Sequence, residues 1–430
     1  MSSDYKLSLS SAIMINMNIM LGAGIFLNPV VLSIYAGALS PLSYLIVGVL
    51  ILPLALSMTY LLQRVPGGSF YDFGAQISKL TGFIAAWSYF IGKLASGALM
   101  LHFGFSLLWE LNPWLQSVDI LTLDFIGIVI FTLLNLLGMK TGQHIQLAFM
   151  ILKIIPICAI VFVGFLSFNG NLFTPVHMNW VGMTGTIPLV LYAFTGFEAS
   201  CSLYRSIANP QKNAAKSLIL GFLGVLMLTI LFQFAFYAAI NPELLLNTPY
   251  FDGLSLFLNS TMKDSMLRNV ILWLLQTSVG LSALGGSYGI LFSVNWNLYI
   301  LAQEKMTIFS GLFTKLNRYK IAWVCVITEA LFYCLYLYTW QGYQIPLQQL
   351  AALGCTVAYT ISVLAYFLKC SSKYSLVGPL GLISCAILLS TTLNGLYIHS
   401  MVPLVGYLLL IGTGIGMFFY SQKKPSNSSI

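Results

Sequence analysis

Apolar runs of about 20 residues recur along almost the whole chain, each long enough to cross a hydrocarbon core of roughly 30 Å as a helix. Lipid offers no partner for backbone N–H and C=O groups, so a spanning chain folds as helices or as a closed barrel. Runs of this length select helices. Twelve spans are read, at 7–36, 39–63, 80–109, 120–138, 144–166, 181–206, 215–240, 266–303, 320–338, 345–368, 375–395 and 401–421. With 58% hydrophobic and 7% charged residues, the chain could not cover a water-facing surface, which needs about a quarter charged. The expected fold class is an all-α polytopic membrane protein with 12 transmembrane helices. The short connections leave no room for a soluble domain, so binding chemistry has to sit inside the bundle.

Basic residues set the orientation, because short loops rich in Lys and Arg stay on the cytoplasmic side. With the N-terminus inside, that side collects Lys6, Arg64, Lys79, Lys140, Arg205, Lys212, Lys216, Lys305, Lys315, Arg318, Lys320, Lys369, Lys373, Lys423 and Lys424. Only Lys263 and Arg268 fall outside, whereas Glu110, Asp119, Asp124, Glu243, Asp252 and Asp264 cluster there. Both termini are expected in the cytoplasm. The net charge of +8 is then a topology signal, and no nucleic-acid partner is expected. Lys6 leads into a full-length span with no cleavage context, so the expectation is a retained first helix rather than a signal peptide.

Two spans are interrupted. In the first, Gly22-Ala23-Gly24 separates Ile13–Met20 from Ile25-Phe26-Leu27. Two glycines one residue apart weaken a helix by roughly 1 kcal/mol each and let the backbone leave helical geometry. In the sixth, Pro188 to Phe194 leads into Thr195-Gly196, and the helix restarts at Phe197-Glu198-Ala199. Breaks at matching places in two halves point to a transporter site, since only backbone lining a cavity stays unpaired within lipid. The offset of five spans implies a 5+5 inverted repeat: residues 1–174, residues 175–370, and a C-terminal addition of two helices with a cytoplasmic tail at 371–430. The alternative is that the glycines only allow close helix packing, the role expected for Gly37, Gly48, Gly104 and Gly221.

Gly22-Ala23-Gly24-Ile25-Phe26 resembles the first-helix signature of the amino acid–polyamine–organocation (APC) transporters. Pro66-Gly67-Gly68-Ser69-Phe70-Tyr71 resembles that family's loop after helix two, and Gly82, Trp87 and Tyr89 the start of its third helix. Ala193-Phe194-Thr195-Gly196-Phe197-Glu198 and Asn209-Pro210-Gln211-Lys212-Asn213 resemble its sixth-helix and following motifs. The matches cover spans one to seven in order. The resemblance implies the LeuT-type fold, alternating access, and amino acids or related amines as substrates.

A zwitterionic amino acid carries two charges that need partners once stripped of water. The half-helix starting at Gly24-Ile25 offers N–H groups and a positive dipole end to the carboxylate. Carbonyls at Met20-Leu21 and Tyr192-Ala193 can accept from the ammonium. Substrate-binding candidates are therefore Met20, Leu21, Gly22, Ala23, Gly24, Ile25, Lys93, Tyr192, Ala193, Phe194, Thr195 and Gly196, with Tyr192 read as an aromatic gate.

Lys93, Lys153, Glu198 and Glu329 are charged at membrane depth, and each needs a named partner there. By the resemblance, Glu198 matches an acid of proton-linked gating; its alternative role is to brace the unwound backbone. Lys153 resembles the fifth-helix lysine of sodium-independent members, whose ammonium stands where a sodium ion would, beside helices one and eight. Proton loading on Lys153 makes coupling to protons the preferred mechanism; the alternative is a permanently charged tie. By the resemblance, Lys93 matches a position near the substrate's distal end and would repel a cation, which favours neutral or acidic amino acids unless Lys93 pairs with Glu198. Ser282, Ser287 and Ser293 are candidates to meet Lys153 or an ion.

No catalytic residue, metal site or cofactor is expected: the four histidines form no ligand cluster, the cysteines lack metal spacing, and no nucleotide loop or nucleophile elbow occurs. The expected function is secondary active amino acid transport, sodium-independent and proton-coupled, in a plasma membrane of bacterial inner-membrane type. The partners are a small-molecule amino acid, protons and the lipid bilayer. An ion-free amino acid/amine exchanger and a non-transporting receptor or subunit of the same fold are the competing readings.

Overall fold

The computed structural model describes residues 5–22, 24–245, 252–370 and 376–423; Ala23, Lys373 and Lys424 lie outside the described residues. The helices are α1 (Leu9–Met20), α2 (Gly24–Ala36), α3 (Ser40–Arg64), α4 (Phe70–Ala75), α5 (Lys79–Leu111), α6 (Ile120–Asn135), α7 (Met139–Leu166), α8 (Ile187–Phe194) and α9 (Ala199–Ser202). They continue as α10 (Pro210–Ala239), α11 (Pro242–Leu245), α12 (Gly253–Thr261), α13 (Ser265–Gln303), α14 (Ser310–Phe313), α15 (Trp323–Trp340), α16 (Gln344–Ala365), α17 (Val377–His399) and α18 (Val402–Lys423). Among the described residues, nine helices are long and apolar enough to cross a membrane, and α1 and α6 are shorter apolar helices. The chain is an all-helical integral membrane protein.

Local sequence explains where helices begin. Ser8 accepts from Ser11 N, Ser78 from Thr81 N, and Asp264 from Leu267 N, each supplying an acceptor to an N–H without an intrahelical partner. Ser69 and Asp72 form a capping box that starts α4. Asn209, in the left-handed region at φ 47°, turns the chain into α10, where Pro210 suits the first position.

α5 runs through the middle of the bundle and packs on α13 and α16, with α10 on α3 and α1 wedged among α10, α7 and α13. Lipid removes most of the hydrophobic drive between spanning helices, so close approach of small residues matters more. A Cβ on Gly92 would lie 2.9 Å from Gly354 Cα, which brings α5 against α16. One on Gly104 would lie 2.9 Å from Gly280 O, joining α5 to α13. Gly48 packs on Leu226 and Gly221 on Asn16 in the same way. Gly37 does more than allow close approach: a Cβ there would stand 1.9 Å from His177 O, and at φ +59° the residue also closes the α2–α3 turn. Outward-facing apolar side chains such as Val129, Leu133, Ile155 and Phe162 are exposed, as a lipid-facing surface requires.

Candidate functional site at two helix breaks

α1 stops at Met20 and α2 begins at Gly24, so the expected first span consists of two helices. Leu21 takes φ −76° and ψ 58°, and Gly22 N donates to Met20 O at 2.8 Å, an inverse γ-turn. The turn frees the Leu21 carbonyl from the helical ladder. Lys153 Nζ on α7 donates to it at 2.7 Å, to Asn18 O at 2.9 Å and to Ser282 O on α13 at 3.2 Å. An ammonium has three N–H donors, and all three are used. The Lys153 side chain is fully buried, and no carboxylate pairs with it among the described residues.

Ser282 Oγ also donates to Leu21 O at 3.0 Å, so both lone pairs of that carbonyl are engaged by the protein. Asn18 Nδ2 donates to Gln146 Oε1 on α7 and to Gly285 O on α13. Helices α1, α7 and α13 are thus tied together at the first break through polar groups.

The second break lies between Phe194 and Ala199. Thr195 N and Oγ1 both donate to Tyr192 O, at 3.1 and 2.9 Å, ending α8. Gly196 has φ +128°, and a Cβ there would lie 2.7 Å from Ile19 Cγ2 and 3.1 Å from Met20 N. Only glycine meets both conditions. A Cβ on Gly24 would lie 3.5 Å from Ala193 Cβ, so each break touches the helix preceding the other.

Glu198 is fully buried; its Oε2 accepts from Gly196 N at 2.8 Å, and its Oε1 lies 3.4 Å from Lys93 Nζ on α5. Lys93 is therefore paired with Glu198, the condition under which its charge no longer argues against a cationic substrate. Tyr89 and Tyr359 close around the same carboxylate. Tyr192 OH, half-buried, sits 3.3 Å from Ser96 Oγ across the space between α8 and α5. Phe194 lies edge-on to Tyr44, with ring centres 6.0 Å apart, and 5.5 Å from the ring of Phe222.

Ser287 and Ser293 do not meet Lys153. Ser287 Oγ reaches Tyr333 OH at 3.5 Å on α15, and Ser293 Oγ bonds Gly289 O of its own helix at 2.9 Å. Five residues turn a helix by about 140° and eleven carry it about 16 Å along, so neither hydroxyl can share the place of Ser282. Glu329 is buried on α15 with no hydrogen-bond partner for either oxygen among the described residues.

Buried amide side chains, not marked in the sequence as site residues, add further ties between the helices. Asn16 Nδ2 donates to Ser200 Oγ at 2.9 Å, and Ser200 Oγ lies 2.7 Å from Ser217 Oγ, linking α1, α9 and α10. Asn16, Asn18 and Gln146 inside apolar spans were the available signal, since amides at that depth also need partners. Tyr359 gave none in a chain with 14% aromatic residues, and Tyr89 stood out only within the third-helix resemblance.

Residues 7–426 match the family model described as amino acid permease. The serine/threonine exchanger SteT of Bacillus subtilis (strain 168) is 26% identical over 238 residues, 54% of each chain, so the match spans about half the length of that relative. The glutamate/serine transporter AimA of the same organism is 23% identical over 452 aligned positions, covering 96% of this chain and 81% of the relative. The arginine/ornithine antiporter ArcD1 of Lactococcus lactis subsp. cremoris (strain MG1363) is 24% identical over 244 residues, 48% of this chain and 46% of the relative. A family model matched across nearly the whole length, over a helical bundle broken at two adjoining points, makes this chain a member of the amino acid permease family of APC transporters.

Proposed function

We propose that the protein is a secondary active transporter of amino acids that works by alternating access around the two breaks. The carrying observation is the Lys153 ammonium held by carbonyls of Asn18, Leu21 and Ser282. The Lys153 ammonium bridges α1, α7 and α13 at the turn that shapes the site, in the place where a sodium-coupled design would need a metal ion. With no carboxylate beside it among the described residues to hold the charge, Lys153 releases and takes up a proton as these helices part and close, which couples transport to protons.

The substrate carboxylate meets the first-turn N–H groups of α2 at Gly24 and Ile25. Its ammonium meets the carbonyls of Met20 and Ala193, with Leu21 acting through Lys153 and with Tyr192 as the gate. The Lys93–Glu198 pair is neutral as a unit, and two relatives carry serine in their names. Small neutral amino acids are the favoured substrates.

The remaining architecture follows the same reading: twelve spans, two inverted five-helix repeats at 1–174 and 175–370, two further helices, and both termini inside a bacterial-type plasma membrane. The test is uptake of labelled serine by purified protein in liposomes under an inward proton gradient. Uptake should rise with the gradient, ignore sodium, and be lost in Lys153→Ala. Uptake indifferent to both the gradient and the substitution would sink the coupling mechanism. A second reading is obligatory exchange, favoured by the names of the exchanger and antiporter relatives; uptake that requires amino acid preloaded inside the vesicle separates it.

A further inference from the structure

One stripe of α5 meets both breaks. Lys93, Ser96 and Met100 follow one another at i, i+3 and i+7 and so share a helix face. Lys93 meets Glu198, and Ser96 Oγ lies 3.3 Å from Tyr192 OH, both at the second break. Met100, one turn further on, reaches the first: a Cβ on Gly22 would lie 2.7 Å from Met100 Cε and 3.2 Å from its Sδ.

The other neighbour of that thioether is α13. A Cβ on Gly286 would lie 2.8 Å from Met100 Sδ and 3.7 Å from Gly22 Cα. Met100 is therefore wedged between two residues that have no side chain of their own, on two different elements, and it fills the room they leave. It is 6% exposed. In the same wall, Gly97 makes room for the Tyr333 hydroxyl of α15, which donates to Ser287 O at 3.2 Å. Tyr333 and Tyr192 are each held by a hydrogen bond, whereas Met100 is an unbranched side chain with three rotatable bonds, suited to filling a gap of variable size.

We propose that Met100 sets the size of the substrate side chain that the site accepts. The inference rests on the substrate placement given under the proposed function. Main-chain groups held by Met20, the start of α2 and Ala193 leave the α5 stripe as the facing wall, and the substrate side chain points to it. Alanine or serine leaves the thioether where it stands between Gly22 and Gly286. Leucine or phenylalanine has to displace it, and one methylene too many in an apolar pocket costs a factor of about 10–200.

The experiment is a thermal-shift titration of the detergent-purified full chain with alanine, valine, leucine and phenylalanine, comparing wild type with Met100→Ala, which removes the whole thioether arm. Ligands that bind the folded state raise its stability with affinity and concentration, so each titration gives a dissociation constant without any flux. In wild type, affinity should fall as the side chain grows. In Met100→Ala, the ratio of leucine to alanine affinity should rise at least tenfold. A role in packing alone would weaken all four ligands alike; an unmoved ratio overturns the inference. Should Met100→Ala fail to fold, Met100→Val and Met100→Phe, which shorten and enlarge the wedge, should move the ratio in opposite directions, and movement in one direction for both overturns it equally. Wild-type protein stabilised by none of the four overturns the amino acid reading and this inference with it. Wild-type protein that binds them, with a ratio indifferent to Met100, overturns this inference alone.

Discussion

Lys93 Nζ on α5 lies 3.4 Å from Glu198 Oε1, with both side chains at most 1% exposed. The pair pins α5, the most buried of the nine long apolar helices among the described residues, to the residue from which α9 restarts. Glu198 simultaneously accepts from Gly196 N, so the ion pair and the unwound backbone share one carboxylate.

Removing one partner of such a pair leaves a buried charge uncompensated, at a cost of about 3–5 kcal/mol. Lys93→Met should therefore lower thermal stability in detergent sharply, while Lys93→Met combined with Glu198→Gln should recover much of the loss. Additive effects in that double-mutant cycle would refute the coupling.

The two break glycines should respond differently to an added methyl group. A Cβ at Gly22 meets the flexible end of Met100 at 2.7 Å, whereas one at Gly196 meets Ile19 and the Met20 backbone at φ +128°. Gly22→Ala uptake should be rescued by Met100→Ala. Gly196→Ala should carry about 1–3 kcal/mol of backbone strain and stay inactive with any neighbouring change; rescue by Ile19→Ala would contradict this.

Among the α13 serines, only Ser282 serves the Leu21 carbonyl. Ser282→Ala should weaken the tie around Lys153 by about 1 kcal/mol, the net value of one hydrogen bond, and reduce uptake several-fold. Ser293→Ala, which removes only an intrahelical bond, should stay within twofold of wild type. Equal losses at both positions would count against the assignment.

Asn16 links α1 to Ser200 and, through it, to Ser217. Asn16→Leu removes the amide partner of Ser200, which keeps only Ser217, and should cost about 1 kcal/mol, the net value of one hydrogen bond, measured as a lower melting temperature. Asn16→Asp, which keeps an acceptor, should retain more uptake than Leu; the reverse order would show that the network is not what α1 needs.

Several features were legible before any coordinates. The helical class came from the length of the apolar runs, since lipid permits few other solutions. Gly22, Gly24 and Gly196 marked the breaks, because a glycine without a Cβ is a local property written in one residue. Lys153, Glu198 and Lys93 stood out because charge in an apolar run is costly wherever it lies. None of these readings required knowing which helices are neighbours.

Partnership is where tertiary structure decided. That Lys153 meets Leu21 and Ser282, that Lys93 meets Glu198, and that Ser287 and Ser293 turn elsewhere all depend on helix rotation and register. An apolar surface in lipid specifies these weakly, because many rotations bury similar area. The sequence alone determined that the chain spans a membrane, where its helices break and which charges need partners. The packing of α1, α7 and α13 around one carbonyl settled who those partners are, since hydrogen bonds of about 3 Å exist only once separate helices are placed side by side.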